Sequence, residues 1–156
     1  MPKRSAGGLS AVRVVGVDLG QRRIGVAVSD GTGTLASPRA TIERNGDDTT
    51  HWTALAALVE EVGARRVVVG LPLSLNGRRG PAAHAAQADA DELARILAPR
   101  GIPVETFDER LTTVTATRSL RDAGRKGRDQ RTRIDQSAAA VLLQAWLDTG
   151  RGHDDA

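Results

Sequence analysis

At 156 residues and 16.4 kDa the chain has the size of one domain, because single cores usually span about 100 to 150 residues before chains divide, which leaves no room for a two-domain enzyme. With 40% hydrophobic and 26% charged residues it is neither disordered nor fibrous, and it has enough apolar side chains to bury a core. It has no cysteine, two Trp, one Phe and no Tyr, so disulfides, thiolate metal sites and thiol chemistry are excluded and base stacking on exposed aromatics is not a major binding device.

The amino terminus, MPKRSAGGLS, reads as a flexible segment over residues 1–11. It carries positive charge with no apolar stretch behind it. No run anywhere approaches the roughly 18 apolar residues of a membrane span, so a cytoplasmic protein with no membrane partner is expected. The first regular element is Val12–Asp18, β-branched and mostly apolar, as suits a strand covered on both faces, and it ends in an acid. After the turn Leu19-Gly20-Gln21-Arg22 comes a strand over Arg23–Ser29, and after Asp30–Gly33 a third, about Leu35 to Glu43. Such short turns imply an antiparallel meander.

The period then changes. Asp47 or Asp48 is placed to cap a helix whose apolar residues Trp52, Leu55, Leu58, Val59 and Val62 recur at helical spacing, with Gly63 as its stop. A fourth strand, Arg66 to Gly70, runs into Leu71-Pro72, and the turn pair Asn76-Gly77 precedes a helix from about Pro81 with Ala86, Ala90, Leu93 and Leu97 on one stripe. Strand five, about Pro103 to Phe107, stops at Asp108-Glu109. A helix from Thr112 to Ala123, a loop rich in Gly, Arg and Lys, a last helix from about Thr132 to Leu147, and a flexible tail at 149–156 complete the reading.

Three meandering strands followed by alternation of strand and helix give an α/β fold: a mixed five-stranded sheet in which the meander joins two parallel strands. Strand one is central and helices cover both faces. This is the strand logic of a ribonuclease H-like domain, expected over residues 12–148.

Three carboxylates stand at element ends that such a topology can bring together: Asp18, Glu109 and Asp135. Counting from Asp135, residues Ala138, Ala139, Leu142, Leu143 and Trp146 lie on one helical stripe, so this acid points towards the sheet. Buried anions repel one another unless a cation joins them. Oxygen-only donors suit Mg²⁺ or Mn²⁺. Two such ions about 4 Å apart would activate a water and steady the leaving oxygen of a phosphodiester displacement, with Asp18 bridging both and Glu109 and Asp135 completing one shell each; which acid serves which ion stays open. Taken singly, Asp-x-Gly is also a common turn, Asp-Glu-Arg a solvated ion-pair cluster and Asp135 a helix N-terminal acid. Of the histidines, His51 and His84 fall on expected helix surfaces and His153 in the tail, and none is placed for catalysis.

The net charge is only +3, yet between positions 118 and 133 seven basic residues face two acids, so this short segment carries more than the whole positive excess, as a polyanion contact requires. Arg22, Arg78, Arg79, Arg110 and the group from Arg121 to Arg133, including Arg125, Lys126, Arg128 and Arg131, are placed to contact phosphates, and Gly20 lets a phosphate approach the backbone.

The stretches Gly16–Asp30, Val69–Pro72 with Asn76-Gly77 and Gly80 beyond, Asp108–Thr113 and Ile134–Ala139 together resemble the YqgF family, also called RuvX. These are Holliday junction resolvase-like or pre-16S ribosomal RNA nucleases with a ribonuclease H-like fold, and the likeness covers about residues 12 to 148. The resemblance implies a metal-dependent phosphodiesterase whose acidic residues correspond to Asp18, Glu109 and Asp135. It also implies that the Gly-Leu-Pro loop and the stretch from Arg125 to Arg131 border the site, the latter as a mobile lid. The expected substrate is an rRNA precursor or other structured RNA, with a four-way DNA junction as the alternative. A resolvase needs a dimer with paired sites, so monomer or homodimer is open. An actin-like ATPase or sugar kinase, which also begins with Asp-x-Gly after a strand, needs two domains, and a silent nucleic-acid-binding protein would have no use for three clustered acids.

Overall fold

The computed structural model describes residues 13–45, 49–73, 76–112 and 128–150, the side chains of Leu111 and residues 128–136 excepted. Its strands are β1 (Arg13–Leu19), β2 (Arg23–Ser29), β3 (Ala36–Glu43), β4 (Ala64–Leu71) and β5 (Val104–Asp108). Its helices are α1 (Thr50–Glu61), α2 (Pro81–Leu97) and α3 (Arg128–Asp148). They form one sheet in the order β3-β2-β1-β4-β5. The β1–β2 and β2–β3 pairs are antiparallel, while β1–β4 and β4–β5 are parallel. The expected mixed sheet with β1 at its centre is therefore present.

The alternation of side chains along each strand divides the core into two layers. Val15, Val17, Ile24, Val26, Val67 and Val69 meet Trp52, Leu55 and Val59 of α1 and Ala90, Leu93 and Leu97 of α2. On the other face, Val14, Ala27, Val68 and Phe107 meet Ala138, Ala139, Leu142, Leu143 and Trp146 of α3. Both Trp residues and the lone Phe are buried, so no side chain of these types is left outside for stacking on bases. Strand β3 is half-exposed and carries Pro38 and Arg39, residues that blunt an edge strand against further pairing.

Three expectations are corrected. Residue Thr49 occupies the N-cap of α1 without a side-chain capping bond, while Asp47 and Asp48 lie outside the described residues. His51, expected on the surface, is 4% exposed, its ring 4.5 Å from that of Trp52, because α1 packs on sheet and α2 together and buries a stripe wide enough to include it. His84 is exposed as expected. The last helix begins at Arg128 rather than near Thr132, since no Gly or Pro follows Gly127 until Gly150; Arg128 and Arg131 therefore stand on a helix, not in a loop. The helix expected over 112–123 falls outside the described residues apart from Thr112, which is extended.

A candidate active site at the carboxyl edge of the sheet

Asp18 and Glu109 enter the same face of the sheet. On β1, Val14 packs under α3, and a Cβ on Gly16 would stand 2.7 Å from the Cβ of Leu143; strand alternation carries Asp18 to that same side. On β5, Glu105 accepts a 2.9 Å hydrogen bond from Trp146 Nε1 of α3 and Phe107 packs in the same layer. Glu109 follows in the same alternation, in a 3-10 turn (Glu109–Leu111) directly after the strand. Asp18 is 3% and Glu109 2% exposed.

What separates the two acids is one glycine. Val17 of β1 pairs with Val69 of β4, and Gly70 with Phe107 of β5, so the register brings Gly70 level with Asp18 one strand away, about 4.8 Å across the sheet. A Cβ on Gly70 would lie 3.0 Å from Glu109 Cγ, 3.1 Å from Glu109 Cδ and 3.1 Å from Leu142 Cδ2. The Glu109 side chain thus lies against the backbone of Gly70, in the space a β-carbon there would fill. Gly16 lets α3 come close to the sheet, and Gly70 lets Glu109 and Leu142 do so. Both lie in stretches that carry the family resemblance, but the sequence does not say what approaches them, since a glycine inside a strand looks the same whether it relieves a turn or a close approach.

Asp135 lies on α3, one turn before Ala139, with its side chain outside the described residues. The helix runs against the direction of β1 and β5: Trp146 meets Glu105, whereas Leu142 meets the Gly70 and Glu109 level. Each further turn back along α3 advances about 5.4 Å towards the carboxyl edge, where Asp18 and Glu109 stand.

The electrostatics match a site for a cation. Burial, with Asp108's charge adding to it, pushes the Glu109 carboxyl up to about 7. The Asp18 carboxyl is buried on the same face, and a buried anion is costly unless it is paired or holds a cation. A hard divalent cation relieves that cost and takes oxygen donors of this kind, so these residues fit Mg²⁺ or Mn²⁺. Asp108 itself is held below the ordinary carboxylate range, chiefly by its hydrogen bonds with the Arg110 side chain.

The remaining sequence candidates divide. Gly20 closes the β1–β2 turn by donating its N–H to Arg23 O at 2.9 Å; a Cβ there would stand 2.7 Å from that oxygen, so the chain's own turn already requires glycine. Arg22 is exposed beside it. Arg110 is engaged with Asp108, its Nε 3.0 Å from either carboxylate oxygen, and lies under the Asn76-Gly77 turn, 3.4 Å from where a Gly77 Cβ would be. That turn is shaped by Asn76 Oδ1 accepting from Arg78 N–H at 3.0 Å and by the left-handed Gly77, φ +81°. Arg79 is exposed and donates to Gln87. Arg125 and Lys126 lie outside the described residues, and Arg128 and Arg131 stand on α3 with their side chains outside the described part.

The chain is similar to known proteins over most of its length. The family model RuvX, described as Holliday junction resolvase, matches residues 12–149. A Mycobacterium sp. (strain KMS) protein carrying the curated name "Putative pre-16S rRNA nuclease" is 52% identical over 139 residues, spanning 89% of this chain and 81% of the relative. A Mycolicibacterium smegmatis protein of the same name is 51% identical over 141 residues, spanning 89% and 82%. Among solved structures, Thermus thermophilus RuvC in complex with a Holliday junction substrate superposes with a TM-score of 0.57 at 14% identity, covering 91% of this chain and 97% of its own. The Fowlpox virus resolvase bound to Holliday junction DNA superposes at 0.54 with 10% identity, covering 90% and 99%. At such identities the superpositions show the fold alone, and it is the expected one. No described helix is long and apolar enough to cross a membrane.

Proposed function

The chain belongs to the RuvX family of Holliday junction resolvases, and on that premise we propose that it is a metal-dependent nuclease, its nuclease domain at residues 12–148, whose substrate is the 5′ end of precursor 16S ribosomal RNA. The observation that carries the reading is that two buried acids, Asp18 and Glu109, enter one face of the sheet, with Gly70 level with Asp18 and against Glu109. The name of the relatives at 51–52% identity supports the choice of RNA.

Asp18, Glu109 and Asp135 would hold Mg²⁺ or Mn²⁺, which when bound activates the attacking water and stabilises the leaving oxygen of an in-line displacement. The protein's share is positional. The Gly70 backbone keeps the space between the acids open, and α3 closes its own side of the site with small and apolar side chains, Ala138, Ala139 and Leu142. Arg22, exposed on the β1–β2 turn, would meet a phosphate, while Gly20, Asn76, Gly77 and Arg110 would shape the floor along which the strand lies. Arg125, Lys126, Arg128 and Arg131 would add sequence-independent attraction to the phosphate backbone.

A four-way DNA junction is the second reading, favoured by the family description, and it requires a homodimer where the RNA reading is satisfied by a monomer. Assaying purified protein side by side on a precursor rRNA 5′ end, an unstructured RNA and a four-way DNA junction, with Mg²⁺, Mn²⁺ or EDTA, tests both. Metal-dependent cleavage of the rRNA end supports the first reading, cleavage of the junction alone replaces it with the second, and cleavage undiminished in EDTA contradicts both.

A further inference from the structure

The turn that follows Asp18 is held by one side chain from outside it. Arg44, directly after β3, donates its backbone N–H to Arg22 O at 2.8 Å and its Nη1 to the carbonyl oxygen of Gly20 at 3.0 Å. The same guanidinium grips Asp89 of α2 with two bonds, Nη1 to Oδ2 at 3.0 Å and Nη2 to Oδ1 at 3.3 Å. It also lies over the ring of Trp52 of α1, 5.3 Å from the centroid. The arginine side chain is 17% and the aspartate 24% exposed, so this is a shielded, two-pronged pair of the kind that fixes geometry, unlike a solvated surface pair.

On this side the turn is packed at Leu19, which lies against Leu71, Ala83 and Ala86. A cavity of about 430 Å³ opens between Leu19, Gly20 and Gln21 and the small residues Pro72, Ala82 and Ala86, with Arg44 and Asp89 in its wall. Gly20 borders that open space and has no side chain to pack, so its position rests on its hydrogen bonds with Arg23 and Arg44.

We propose that Arg44 is a positioning residue: anchored on Asp89 and Trp52, it holds the Gly20 carbonyl and thereby sets the end of β1 from which Asp18 enters the site. This rests on the metal-site reading given above. Arginine is needed because only a planar guanidinium reaches the carboxylate with two donors while one of them also reaches a carbonyl; a lysine ammonium cannot reproduce the fork.

Two variants of the full chain test it: Arg44→Lys, and the exchanged pair Arg44→Asp with Asp89→Arg, which retains opposite charges but leaves no donor at position 44 for Gly20. Hydrogen exchange of the metal-free proteins should show the Gly20 amide opening about tenfold faster in both, with the β4 amides unchanged. Mn²⁺ affinity by calorimetry and kcat on the cleaved nucleic acid should each fall about tenfold, with KM unchanged, and the exchanged pair should recover the wild-type melting temperature without recovering either. Unchanged exchange at Gly20 overturns the proposal. So does recovery of kcat together with stability, which marks a merely structural ion pair, or a rise in KM alone, which marks a direct nucleic-acid contact. If the wild type neither binds Mn²⁺ nor cleaves, the metal-site reading fails, and the exchange at Gly20 still decides whether Arg44 holds the turn.

Discussion

Replacing Glu109 by glutamine should make the metal-free protein more stable, increasingly so as the pH rises from about 4.5 to 7. The carboxyl titrates near 4.5 when unfolded and near 7 in the folded chain. Below pH 4.5 it is protonated in both states and contributes nothing. As pH rises from about 4.5 to 7 the unfolded chain releases the proton while the folded chain keeps it, so stability is progressively lost, and above about pH 7 the loss is complete and constant. The difference between those two values corresponds to a ceiling of about 3 kcal/mol, and the side-chain amide has nearly the same shape and never ionises. Urea denaturation of wild type and Glu109→Gln in EDTA should therefore coincide near pH 4.5 and diverge by about 1 to 3 kcal/mol at pH 8, a shift in melting temperature of roughly 3 to 12 °C. Saturating Mn²⁺ should cancel or invert the gap, because the ion stabilises the folded wild type and binds the variant less well. A gap that does not change between pH 5 and pH 8 would refute the buried-acid argument.

Other changes probe the floor and the approach to the site. Gly16→Ala places a Cβ 2.7 Å from that of Leu143, so the helix must shift; a loss of about 1 to 3 kcal/mol in urea denaturation is expected. Gly70→Ala presses on Glu109 at 3.0–3.1 Å and should lower Mn²⁺ affinity about tenfold by calorimetry, in line with a displaced ligand. Neutralising Arg128 and Arg131 together should weaken nucleic-acid binding uniformly across sequences. The log–log salt slope, measured by fluorescence anisotropy, should flatten by about 0.7 to 0.9 for every phosphate that the variant no longer neutralises.

The periodic elements were legible because periodicity is what the core imposes on a sequence. The bounds of β2 agree with the sequence reading, the stripe Ala86, Ala90, Leu93 and Leu97 is buried on α2, and Gly63 terminates α1 with φ +71° as a C′ glycine does. The acids at strand ends were legible for the same reason, since topology fixes which ends meet. Side-chain partnerships across the fold were not. Arg44, which carried no motif, joins three elements, and Arg110 pairs with its near neighbour Asp108 under the distant Asn76-Gly77 turn. Burial of His51 depends on α1 facing two neighbours at once, a fact of three-dimensional packing absent from any single helical stripe. Gly16 and Gly70 are glycines because α3 and Glu109 come close, and the residues that come close lie far along the chain.

The claim on which the account rests is that Asp18, Glu109 and Asp135 share one ion-binding pocket. A crystal grown with Mn²⁺ and measured for anomalous scattering tests it most directly. The account predicts a manganese peak at the carboxyl edge of the sheet above Gly70, with oxygens of all three acids at about 2.1 Å or linked to it through a second ion about 4 Å away. A well-ordered Asp135 carboxylate pointing away from an ion that Asp18 and Glu109 hold, or manganese bound elsewhere with these acids vacant, would contradict it.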